Sequence, residues 1–101
     1  MSSFNHDLPL DGYFSAGIHP YNAGDEDVHK KLDELAVLIS NDRIVAIGEC
    51  GLDKTIDVGF SQQLEVFYVQ IQLAQNSNKP IIIHDVKAHQ EVLVALRKFS
   101  F

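Results

Sequence analysis

Three short apolar runs, each ending on one side chain able to bind a metal, constrain this chain more than any other feature. Tyr13–Ile18 runs into His19, Ile44–Gly48 into Glu49, and Pro80–Ile83 into His84. Apolar runs of this length read as strands buried on both faces, the mark of a parallel sheet. A helix-like stretch follows each of the first two runs. Parallel strands joined by helices point one way, so their C-terminal ends share one edge, where α/β proteins build their sites. The pattern therefore predicts two imidazoles and a carboxylate at one mouth. These are the ligand types of a hydrolytic divalent-metal centre.

The helices are legible from spacing and caps. Asp25, Glu26 and Asp27 suit a helix N-terminus, and they predict a first helix from near Asp25 with Val28, Leu32, Leu35, Ala36 and Ile39 on its apolar face. A second helix is expected from about Ser61, with Leu64, Phe67, Tyr68, Ile71 and Ala74 inward and Asn76–Asn78 as its stop. Pro80 opens the third strand, where its missing N–H is tolerated. A third helix carries Ala88, Val92, Ala95, Leu96 and Phe99. The separations from His19 to Glu49 and from Glu49 to His84 both fit a βαβ unit, which takes about 30 residues or more.

The chain has 101 residues, room for one small domain. A closed (β/α)8 barrel needs roughly 250 residues, and an open sheet of three parallel strands has two bare edges. The expectation is a single partial domain over residues 1–101, a piece of something larger, with a poorly defined N-terminal tail over residues 1–12. Ile81 and Ile83 are then expected to face the barrel without neighbours, and the unpaired strands to favour self-association.

Composition narrows the classes. A hydrophobic content of 46% excludes a disordered tail. The net charge of −6 argues against coating nucleic acid by charge alone. It argues less against a metal enzyme acting on phosphate esters, where the cation supplies positive charge. No stretch approaches the roughly 18 apolar residues of a membrane span, so no membrane partner is expected. The single Cys50 cannot form an internal disulfide and fits a reducing compartment, which together with the absence of a signal-like start predicts a cytoplasmic location. The glycines form neither a G-x-G-x-x-G nor a P-loop pattern, so a nucleotide-cofactor fold gains no support.

The segments Gly17-Ile18-His19-Pro20, Ile47-Gly48-Glu49-Cys50-Gly51-Leu52-Asp53 and Pro80-Ile81-Ile82-Ile83-His84 resemble the TatD-family metal-dependent hydrolases in order and spacing. Gln63, Phe67, Leu73 and Ala74 resemble that family's Q…F…LA helix. The resemblance implies α/β architecture: about three β/α units of a (β/α)8 TIM barrel of the metallo-dependent hydrolase type, incomplete here. It implies hydrolysis of phosphodiester bonds, with DNA or a similar phosphodiester as substrate and divalent ions (Zn, Mg or Mn) as cofactors. It further implies Glu49 as a metal-bridging carboxylate, His84 as a metal ligand, His19 as a phosphate-facing residue, and Asp53 as support for the ligands. Departures accompany it: no H-x-H pair opens the chain, the later histidine and catalytic aspartate of the family have no counterpart, and where many members carry H-x-R this chain has His84-Asp85-Val86, with Lys87 next in line to take over the arginine's contact.

Each residue also has a plainer reading. Glu49 could cap the next turn, His84 could be a hydrogen-bonded core histidine, and His19 could only fix a pre-proline turn. Cys50 adjoins an apolar strand with no assignable base, so it reads as a small buried thiol and not a nucleophile. His29 and His89 read as solvated helix faces. Two other functions stay open: a non-catalytic barrel segment acting as an interaction module or pseudoenzyme remnant, and a phosphate-binding module without turnover that uses His19 and helix N-termini. Ligand count separates them, because a catalytic centre needs three protein ligands and an open position.

Overall fold

The computed structural model describes residues 11–99. Most of the expected tail, and His6 within it, lies outside them. Along the chain run β1 (Phe14–Ala16), a 3-10 turn (Pro20–Asn22), α1 (Val28–Leu38), β2 (Ile44–Asp53), α2 (Phe60–Ser77), β3 (Ile81–Val86) and α3 (His89–Lys98). The strands form one sheet in the order β1-β2-β3, and both pairings are parallel. Three consecutive β/α units therefore lie side by side with β2 central.

The helices cover one face of the sheet. Leu35 and Leu38 of α1 pack with Ala16, Ile44, Ile47 and Ala74, while Phe67 and Ile71 of α2 join Val92 and Ala95 of α3 over Cys50 and Leu52. A third cluster of Ile18, Ala23, Val28, Leu32 and Val66 closes the upper end of α1 against α2. The opposite face of the sheet carries Val45 and Ile82, 47% and 43% exposed. The expectation for Ile81 and Ile83 is thus reversed, since both pack into the helix-covered clusters. Side chains alternate along a strand, so Ile82 shares its face with His84, and the residues on either side of Ile82 point to the helices.

Helix boundaries follow local chemistry. The second helix stops where Asn78 takes a left-handed φ of 57° and its N–H reaches back to the Ala74 and Gln75 carbonyls, a common C-terminal cap. The first helix begins at Val28, later than its acidic run suggests. The reason is that Asp25 is engaged elsewhere: its carboxylate accepts from Asn22 and from Lys31, both at 3.0 Å. Those bonds hold its carboxyl below the usual range and brace the loop between the 3-10 turn and α1. Ala36, expected inward, is exposed.

The largest departure lies in the strands. β2 does not end at Gly48 but runs on to Asp53, and β3 extends past His84 to Val86. The β2–β3 register shifts between Ile47 and Cys50, where the Gly48–Glu49 peptide bond is cis and Gly48 has φ +148°. Such an irregularity adds a residue to one strand and re-aims a side chain. Here Ile47 and Cys50 both face the helices, and Glu49 between them is turned out to solvent.

Candidate metal centre

His19, Glu49 and His84 converge: one ligand-type atom from each lies within 4.8 Å of the others. Each is delivered by a different β/α unit. His19 stands three residues beyond β1, Glu49 sits at the irregularity of β2, and His84 lies within β3.

Hydrogen bonds assign distinct parts to the two imidazoles. His84 Nε2 lies 2.9 Å from Asp53 Oδ2, and its Nδ1 lies 3.8 Å from Glu49 Oε1, beyond hydrogen-bond reach. Asp53 is almost fully buried, and the hydroxyl of Thr55, followed by His84, pulls its carboxyl down to about 2. An ionised Asp53 accepts, so His84 Nε2 carries a proton, and in the neutral ring Nδ1 is the nitrogen with the lone pair, beside Glu49. A carboxylate behind a histidine, fixing its tautomer and raising its basicity, is the usual support of a metal-binding imidazole. Asp53 holds that position behind His84.

His19 is held the other way round. Its Nδ1 accepts from the Tyr21 backbone N–H at 3.1 Å. Burial, and then the neighbouring His84, keep the imidazole below its ordinary pKa, which favours the neutral form. A neutral ring that accepts at Nδ1 carries its proton on Nε2, and that nitrogen is then a donor. The ring stacks on Tyr21 (centroids 4.8 Å, interplanar 11°) and meets His84 edge-on at 4.4 Å.

Two residues that sequence reasoning gives no role set these positions. Gln70 is fully buried on α2. Its Oε1 accepts from the Ile18 N–H at 2.7 Å, and its Nε2 donates to the Ile18 carbonyl at 3.1 Å. The peptide units that flank Ile18, just before His19, are thus gripped at both polar groups. Gln63 treats Asp53 likewise, accepting from its N–H at 2.8 Å and donating to its carbonyl at 3.0 Å and to that of Val58 at 2.9 Å. The available signal was two glutamines among Phe67, Ile71 and Ala74 on the inward side of α2, since buried amides are retained with partners. Replacing Gln70 by Leu strips both Ile18 groups and is expected to cost about 2 kcal/mol, within the range for a buried polar group left unpaired. Urea unfolding measures it, and an unshifted midpoint would mean that water takes the amide's place.

Cys50 is fully buried and its thiol is pushed up to about 12 by that burial, in keeping with an inert packing residue. His29 and His89 are exposed as expected, beside Glu65 and Asp85 respectively. Lys87 is exposed and takes a left-handed φ of 55° just after β3.

Parallel β/α units that bring histidines and a carboxylate to one sheet edge belong to the (β/α)8-barrel metal-dependent hydrolases. Within that class, residues 3–101 match the TatD related DNase family, and the chain belongs to it. It is 37% identical over 87 residues to the uncharacterized metal-dependent hydrolase YcfH of Escherichia coli K12, covering 84% of this chain and 31% of that protein. It is 38% identical over 85 residues to the 3'-5' ssDNA/RNA exonuclease TatD of Pantoea ananatis, covering 81% and 32%. The crystal structure of YJJV, a TatD homolog from Escherichia coli K12, superposes with a TM-score of 0.77 at 27% identity, over 85% of this chain and 34% of that one. The chain spans about a third of the length of the relatives it matches, and its three β/α units correspond to part of the barrel.

Proposed function

We propose that this chain supplies one edge of a divalent-metal site in a hydrolase that cleaves phosphodiester bonds of nucleic acid. The observation that carries the reading is the placement of His84, with Nε2 at 2.9 Å from buried Asp53 and Nδ1 turned toward Glu49 at 3.8 Å. One imidazole nitrogen and a largely exposed carboxylate form a donor set that suits Zn, Mn or a harder divalent ion. Glu49 and His84 would hold the ion, which would supply Lewis acidity and a bound water of lowered pKa. The protein's own contribution is positional. Asp53 orients His84, Gln63 keeps Asp53 in place, and His19 presents Nε2–H as a hydrogen-bond donor for a phosphate oxygen. Family membership and the named TatD exonucleases support nucleic acid as the substrate class. A cytoplasmic setting and self-association through the sheet edges belong to the same proposal.

One observation favours the alternative of a non-catalytic interaction module. With His19 acting as a donor, Glu49 and His84 are the two ligands left of the three-residue cluster, and a working site needs at least three. Cleavage of single-stranded oligonucleotides by the native protein carrying this segment, with Mn²⁺ or Zn²⁺ added, separates the two. His19→Ala is expected to lower turnover by about 100-fold, the usual loss for one donor to developing charge, while metal content stays unchanged. Loss of metal with His19 would make it a ligand, and no metal-dependent cleavage by the wild type would leave the interaction module.

A further inference from the structure

Tyr21 is the large aromatic most exposed at the metal mouth. Its ring is 62% exposed, yet it is held in place: one face lies nearly parallel on His19 at 4.8 Å, and its own backbone N–H anchors that histidine. The 3-10 turn Pro20–Asn22 fixes the backbone beneath it, with the Asn22 and Ala23 N–H groups bonded to the His19 and Pro20 carbonyls. The more exposed Tyr13 precedes β1 and so sits toward the opposite edge of a parallel sheet. Tyr21 is thus a rigid aromatic surface with one face used and one open, adjoining the residue that faces the phosphate.

We propose that the open face of Tyr21 is a stacking platform for an unpaired nucleobase next to the scissile phosphate. The inference rests on the nucleic-acid reading above and deepens it. Nucleic acid is held either by cations on the phosphates or by stacking of bases on aromatic rings. With a net charge of −6, the chain is poor in the first means, and stacking needs no charge. A ring stacked on His19 also sets the distance from base to phosphate-facing nitrogen, so the same contact supplies affinity and register. A base within a duplex has both faces occupied by its neighbours, so the platform selects single strands or frayed ends.

The test is an abasic scan. The native protein carrying this segment, with Mn²⁺, is titrated with phosphorothioate-linked oligothymidylate, intact or with one abasic residue moved along it. Tyr21→Ala is expected to weaken binding of the intact strand by roughly tenfold, from the typical worth of one base–aromatic stack, and Tyr21→Phe to bind as the wild type does. At one abasic position the difference between wild type and Tyr21→Ala should vanish. Equal weakening on every strand would reduce Tyr21 to a prop for His19 and overturn the proposal, as would no weakening at all. Failure of the wild type to bind any strand would overturn the nucleic-acid reading itself, and the stacking proposal with it.

Discussion

Alanine at Glu49 or at His84 is expected to abolish divalent-metal retention by the native protein. The two residues are the carboxylate and the imidazole whose free donor atoms face each other across 3.8 Å, and each variant removes one donor outright. Loss of a hydrogen-bonded partner behind a ligand typically costs about 10–100-fold in affinity or activity, which sets the expectation for Asp53→Asn. The two alanine variants should exceed it. In the 101-residue chain alone, binding is expected to be weak, because the two ligands assigned among the described residues do not close a site. Metal content of the purified variants, followed by titration with Zn²⁺ or Mn²⁺, reads all three effects. A Glu49→Ala protein that keeps its metal would remove the carboxylate from the centre, and an Asp53→Asn protein as depleted as the alanine variants would place Asp53 among the ligands.

Gly51→Ala is expected to be the most damaging single methyl group in the chain. Gly51 lies in β2 at φ +150°, and an added Cβ would stand 2.0 Å from the His84 carbonyl oxygen and 3.0 Å from its nitrogen. The obstacle is the β3 backbone, which cannot swing aside as a side chain would. Overpacking costs about 1–3 kcal/mol, and strained backbone geometry about 1–3 kcal/mol more. Together they consume much of the roughly 5–15 kcal/mol that holds a domain folded. Gly24→Ala is the control, since its new Cβ would meet only Val58 and Gln62 side-chain atoms at 3.4 and 3.6 Å. Thermal unfolding followed by circular dichroism should show a large drop for Gly51→Ala and little change for Gly24→Ala. Equal midpoints would mean that β2 and β3 separate at no cost.

The sheet was legible because its strands are written twice, in apolar runs and in the residues that end them. Ile44, Ile47 and Ile81 could be placed in strands without any three-dimensional information, and so could the convergence of His19, Glu49 and His84. What escaped was where each strand stops. A glycine-flanked acid reads as a strand end, whereas β2 continues through Glu49 by a register shift that depends on its pairing with β3. Parity failed for Ile81 and Ile83 for a related reason: in a run of three isoleucines every position looks alike, and His84 alone reveals which face is which. The support of the site was hidden most deeply. Gln70 acts on backbone groups of Ile18, 52 residues away, and Gln63, visible as part of a helix pattern, acts on those of Asp53; a residue pattern does not show which backbone groups an amide will hold.

Those two glutamines make α2 a common mount for both histidines. They sit about two helical turns apart, one gripping the peptide groups before His19 and the other gripping Asp53, which orients His84. The two imidazoles share no covalent neighbourhood, yet both answer to the position of one helix. A shift of α2 along its axis would move them together and preserve their mutual geometry. A tilt would move one more than the other and change the gap between them. Coupling between distant sites travels through packed elements that have more than one discrete placement. The solvent-facing side of α2, remote from the chemistry, is therefore the surface from which the spacing of the centre could be tuned.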